Sequence, residues 1–121
     1  MIKVYVAGQY SRNPNGQTAE VLEIAHNIHA GMQATMDLMA LDFAVYCPWL
    51  DFQLAVMNAG VNKQYYYNNS MAWLEVSDVV LVISGAGFDG GVDKEIVRAK
   101  ELGIPVFYTL EELLAWKETK V

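Results

Sequence analysis

The segment Gly91-Val92-Asp93-Lys94-Glu95-Ile96-Val97-Arg98-Ala99 carries the residue best placed for chemistry. Read as a helix opening near Gly91, it puts Glu95 one turn inside the N-terminus, on the side of Val92 and Ala99. From there the carboxylate looks back toward the glycine-rich stretch Ser84-Gly85-Ala86-Gly87-Phe88-Asp89-Gly90-Gly91. The helix dipole favours the ionised carboxylate, which is the state a nucleophile needs. The same spacing equally allows Glu95 only to complement the dipole or to pair with Lys94 or Arg98 on the surface. Glycines let the backbone turn sharply and approach a ligand closely, and the free N–H groups of the helix start would point at that ligand. Gly85-x-Gly87-x-x-Gly90 repeats the dinucleotide fingerprint in pattern alone. It follows the third expected strand rather than the first, and Tyr108 and Thr109 stand where an acid would hold a ribose.

The other candidates fall into two segments. Tyr10, Ser11 and Arg12 follow the first expected strand, and Asp51 and Gln53 follow the second. No histidine is among them, which disfavours nucleophiles that depend on a histidine base. His26 and His29 lie three apart in an expected helix with no further ligand pattern, so packing or surface roles are expected of them rather than a metal. The aromatic group of Tyr65, Tyr66, Tyr67 and Trp73 reads as core or interface before it reads as a base-stacking platform. Asp78, opening a strand, reads as a turn acceptor.

Four short β-branched or aromatic runs must position these residues: 2–7, 43–47, 78–84 and 104–108. Val79-Val80-Leu81-Val82-Ile83 is apolar on both alternating faces, as a parallel strand covered on both sides must be. Helical segments separate the runs, which makes the chain an α/β sandwich. The first helix is expected over about 17–41, with Ala19, Leu22, His26, His29 and Gln33 on one stripe. Ile24, Ile28, Met32, Met36 and Met39 form another, able to cover the sheet or to pack on a second subunit. The second crossover is expected to hold a loop and one helix over about 65–76. A last helix starts at Leu110, with Thr109 before Glu111-Glu112 as its cap. In open parallel sheets a ligand sits outside the carboxyl ends of the strands, where 7–12, 47–53 and 84–95 converge.

Composition narrows the function. The 121 residues form one domain, with 8 Lys+Arg against 14 Asp+Glu and a net charge of −6, which disfavours a nucleic acid polymer as partner. Cys47 is the single cysteine, so no disulfide framework is possible within the chain, in keeping with a reducing, cytoplasmic setting. No stretch approaches the roughly 18 apolar residues that suggest a membrane span.

Val4-Tyr5-Val6-Ala7-Gly8-Gln9-Tyr10-Ser11, Asn68-Asn69-Ser70 leading to Ser77-Asp78-Val79-Val80, Asp89-Gly90-Gly91-Val92-Asp93-Lys94-Glu95, and Ala99 with Gly103-Ile104-Pro105-Val106 together resemble the nucleoside 2-deoxyribosyltransferase superfamily. The resemblance spans nearly the whole chain. It implies a small flavodoxin-like three-layer sandwich with a parallel sheet of four to five strands, working as a homodimer or larger homo-oligomer. It implies a nucleoside or nucleotide substrate and no metal or organic cofactor. Glu95 falls at the position of the nucleophile that attacks the anomeric carbon, giving a glycosyl-enzyme intermediate. Asp89 falls where nucleoside-acting members grip the sugar hydroxyls, which tilts the substrate toward a nucleoside over its 5′-monophosphate. Tyr10 is placed to orient Glu95 or line the sugar pocket. Gly8, Ser11, Gly85 and Gly91 fall in the segments around the substrate, and Asp51 and Gln53 in the base-recognising one. One departure stands out: Ser70 occupies the place of an acid that protonates the leaving base, which implies a slow enzyme, one whose substrate leaves easily or one that recruits Asp51 instead, with a catalytically impaired binding module as the alternative. Asn69 or Ser70 could also simply cap a helix.

Overall fold

The computed structural model describes residues 1–121 except 11–14, 16, 59, 61, 89 and 121, and except the side chain of Ala55. The chain runs β1 (Lys3–Ala7), α1 (Val21–Ala40), β2 (Ala44–Tyr46), a 3-10 turn (Pro48–Asp51), α2 (Phe52–Met57), α3 (Lys63–Glu75), β3 (Val79–Val82), α4 (Gly91–Glu101), β4 (Val106–Phe107) and α5 (Leu110–Glu118). The four described strands form one parallel sheet in the order β2-β1-β3-β4. Each expected run contains a strand, and the expected three-layer sandwich is what forms.

Side chains alternate across a strand, so β1 sends Val4 and Val6 to one face and Tyr5 and Ala7 to the other. The first face packs with Leu38 of α1 and Leu113 of α5. The second packs with Leu74 of α3 and with Val92, Ile96 and Ala99 of α4. All four residues of β3 are buried, as a strand covered on both faces requires. Burying these aliphatic side chains contributes roughly 1.5–3 kcal/mol each.

Sequence and structure part company on α1. Its buried residues are Gly31, Thr35 and Leu38, at helical spacing, and neither expected stripe is the sheet-facing one. Met32, Met36 and Met39 are exposed, and so are Leu22, His26, His29 and Gln33. Small residues face inward because the Trp49 ring, 5% exposed, fills the space between α1 and the loop after β1. A Cβ on Gly31 or on Gly8 would overlap that ring. Replacing Gly31 by alanine should therefore lower stability. Overpacking costs about 1–3 kcal/mol and outweighs the helix propensity gain of about 1 kcal/mol. Denaturant unfolding of Gly31→Ala would show it as a lower midpoint.

The second crossover also holds more than expected, with a 3-10 turn and α2 before α3. The cap of α3 is Asn62, whose side chain accepts from the Tyr65 N–H, so Asn69 and Ser70 are mid-helix and cap nothing. Thr109 caps α5 as expected, accepting from the Glu112 N–H. Asp78 acts as an acceptor, taking the Lys3 N–H at 2.8 Å.

Candidate active site

The chain moves from β1 outward to β2, then returns to place β3 on the other side of β1, so strand order reverses at β1. Beyond the carboxyl end of that strand lies a cavity of about 440 Å³. Three connections wall it: Gly8 to Tyr10 after β1, Pro48 to Phe52 after β2, and Gly85, Phe88, Gly90 and Gly91 with the start of α4 after β3. Gly85 and Gly87 have φ of +86° and +92°, the left-handed region in which the loop can fold back over the cavity. Ser84 Oγ accepts from the Gln9 N–H at 2.9 Å and ties the first and third connections together. The Gly87 N–H donates to Asp93 at 2.8 Å, anchoring the loop to the first turn of α4.

Among the sequence-derived site residues, Gly8, Tyr10, Asp51, Ser70, Gly85, Gly91 and Glu95 line this cavity. Ser11 and Asp89 lie outside the described residues. Gln53 does not line it: α2 turns Phe52 inward, and Gln53, one residue on, is exposed. Lys63, Trp49, Phe52, Tyr66, Tyr67 and Phe88 add walls that the motif reading left out, and make the cavity strongly aromatic.

Glu95 is where sequence reasoning and structure differ most. Burial pushes its carboxyl up to about 8, and the nearby Tyr5 hydroxyl, which favours the charged form, does not offset this. The expected ionised state is thus overturned for the free protein near neutral pH: removing the carboxylate from water outweighs the helix dipole. Tyr5 itself, from the middle of β1, is driven far above the ordinary phenol range by burial and by the charges of Glu95 and Tyr46. It keeps its proton. Tyr10, expected to orient Glu95, instead packs edge-on to Phe52 with ring centroids 6.0 Å apart, and the tyrosine against Glu95 is Tyr5.

Three buried side-chain atoms have no hydrogen-bond partner among the described residues: the Tyr5 hydroxyl, Gln9 Oε1 and Glu95 Oε2. Gln9 and Glu95 line the cavity and Tyr5 adjoins Glu95. Native proteins leave few such groups, and their concentration at one cavity is what a polar ligand would satisfy.

On the opposite wall, Asp51 Oδ2 accepts from the Tyr46 hydroxyl at 3.4 Å. That hydroxyl in turn accepts from Asn69 Nδ2 at 3.1 Å. Burial raises the Asp51 carboxyl above its ordinary value, and the Tyr46 hydrogen bond partly opposes the rise. The Tyr46 ring stacks on Trp73 at 5.7 Å and tilts against Tyr5 at 5.8 Å. Ser70, 9% exposed, donates its hydroxyl hydrogen to the Tyr66 carbonyl at 2.9 Å. Among the described residues no group of three His, Cys, Asp or Glu side chains is arranged to hold a metal ion. No described helix is long and apolar enough to cross a membrane.

No protein-family profile matches the sequence, and no curated protein matches it either. The fold is similar to the solved structure of the 2-deoxyribosyltransferase from the psychrotolerant bacterium Bacillus psychrosaccharolyticus, described as a biocatalyst for nucleoside synthesis. That match covers 86% of this chain and 69% of the other, with a TM-score of 0.60 and 21% sequence identity. At this identity the two share an architecture: the chain has the flavodoxin-like α/β fold of a 2-deoxyribosyltransferase.

Proposed function

We propose that the chain is a member of the nucleoside 2-deoxyribosyltransferase superfamily acting at the N-glycosidic bond of a 2′-deoxynucleoside or its 5′-monophosphate. The observation that carries this reading is the pair of unpartnered buried atoms, Glu95 Oε2 and Gln9 Oε1, at an aromatic cavity beyond the strand ends. Glu95 is the nucleophile. Its oxygen forms a bond to the anomeric carbon as the bond from that carbon to the base nitrogen breaks, and the base leaves with a proton. Water or a second base then displaces Glu95, making the protein a hydrolase or a transferase. The Tyr5 hydroxyl steadies the carboxylate as it sheds the sugar, and Gln9 Oε1 accepts from a sugar hydroxyl.

Tyr10 and Phe52 supply an aromatic wall. Gly85 to Gly91 brings backbone N–H groups to the 5′ end, and Asp89 holds the sugar hydroxyls and favours a nucleoside over its monophosphate. The exposed Met32, Met36 and Met39 of α1 are the surface on which a second copy packs.

A binding module without turnover is the competing reading, and the Ser70 hydroxyl, committed to the Tyr66 carbonyl, is what favours it. Chromatography separates the two. Incubation with a panel of deoxynucleosides and their monophosphates, with and without a free base, should give released or exchanged base. Tight binding without product at high enzyme concentration would overturn the catalytic reading.

A further inference from the structure

From the arrangement of the cavity we infer that Asp51 is its second catalytic carboxyl, the group that hands a proton to the departing base. The inference rests on the N-glycosidic reading above and supplies the acid that Ser70 does not.

The topology sets two carboxyls on opposite banks. Asp51 arrives from the end of β2 and Glu95 from α4, which follows β3, with the carboxyl end of β1 between them. Among the described residues lining the cavity these are the two acids. Cleavage of a glycosidic bond asks for this division, one group on the anomeric carbon and another on the leaving group. Ser70 cannot be the donor as it stands, because its one hydroxyl hydrogen goes to the Tyr66 carbonyl. Tyr46 holds Asp51 in place. Its oxygen accepts from Asn69, its own hydrogen is directed at Asp51 Oδ2, and its ring is fixed by Trp73 and Tyr5. Asp51 Oδ1 is the oxygen left for the substrate. The Lys63 ammonium also lines the cavity, from the exposed first turn of α3, and is the rival donor.

The form that reacts has Glu95 ionised and Asp51 protonated: in the first step the proton passes from the Asp51 carboxyl to the base nitrogen as the bond to C1′ breaks and the bond from Glu95 forms. In the second, the Asp51 carboxylate takes the proton of the incoming water or base as the bond to Glu95 breaks. Protons balance over the two steps, and no further reactant is needed.

Leaving-group dependence tests the role. 2′-Deoxyguanosine must have its base protonated to leave, whereas 7-methyl-2′-deoxyguanosine releases a neutral base without a proton. Asp51→Asn should lower kcat on 2′-deoxyguanosine by about 10²–10⁴-fold, and change it less than about tenfold on the methylated compound. Glu95→Gln should suppress both. Equal losses on the two compounds in Asp51→Asn, with its unfolding midpoint unchanged, would make Asp51 a binding residue and overturn the inference. A leaving-group split in Lys63→Met instead would give the role to Lys63. Wild-type protein inert toward both compounds would overturn the N-glycosidic reading itself, a failure distinct from either.

Discussion

Replacing Glu95 by glutamine is expected to cut turnover by at least about 10³-fold, since the amide cannot form the glycosyl intermediate. The same change should make the protein more stable at alkaline pH. The folded chain holds the Glu95 proton up to about 8, well above the ordinary value of 4.5, so the native state binds that proton more tightly than the unfolded chain does. This stabilisation is full below the unfolded value and is lost as pH rises through about 8, where a charge must be kept out of water. Glutamine has nothing to ionise. Thermal unfolding of Glu95→Gln should therefore differ little from wild type at pH 5 and show a higher Tm at pH 9. An active Glu95→Gln protein would exclude the residue as nucleophile, and an unchanged Tm at pH 9 would mean that the carboxyl is not buried.

The second large effect is on the pH dependence of kcat/KM, which reports the free protein's essential groups. If Glu95 must be ionised to attack, activity on 7-methyl-2′-deoxyguanosine, whose base leaves without a proton, should fall about tenfold per unit as pH drops below about 8, a loss of roughly 100-fold by pH 6. Besides burial, the group acting on Glu95 is the Tyr5 hydroxyl from β1, while Ser70 of α3 and Asp51 line the same cavity. Tyr5→Phe removes the hydroxyl that favours the charged form, so the limb should move to higher pH. A profile on this compound that instead falls above pH 8 would mean that Glu95 is needed in its protonated form, and would remove it as the nucleophile.

Much of the architecture was legible because burial on both faces leaves a plain signature in Val79 to Val82, and because Thr109 and the glycines mark where helices and turns begin. The site was legible to the extent that strand ends can be aligned, which brought Gly8, Tyr10, Asp51, Gly85, Gly91 and Glu95 to one cavity, while Ser70, inside α3, came from the resemblance alone. What failed depended on distance in space. The protonation of Glu95 follows from desolvation by residues far apart in sequence, whereas the dipole argument saw only its own helix. Tyr5 reads as a core residue inside an apolar strand, and the available clue was that a buried phenol needs a partner for its hydroxyl. Tyr46 and Lys63 carry no motif at all. On α1 periodicity found faces, yet the inward one is set by the volume of Trp49, a residue outside the helix.

The central strand has a consequence for how the protein comes into being. Val4 pairs with Val45 on one side and Val79 on the other, and the Lys3 N–H is satisfied by Asp78. During synthesis β1 emerges before the strands it pairs with, and the second bank of the cavity does not exist until β3 and α4 have followed. Such non-local pairing slows folding and leaves an apolar strand without neighbours in the nascent chain. The cavity is thus assembled only once α4 has followed β3, and an N-terminal fragment ending before α4 would carry Tyr5 and Asp51 without Glu95, the group that Tyr5 adjoins and that shares the cavity with Asp51.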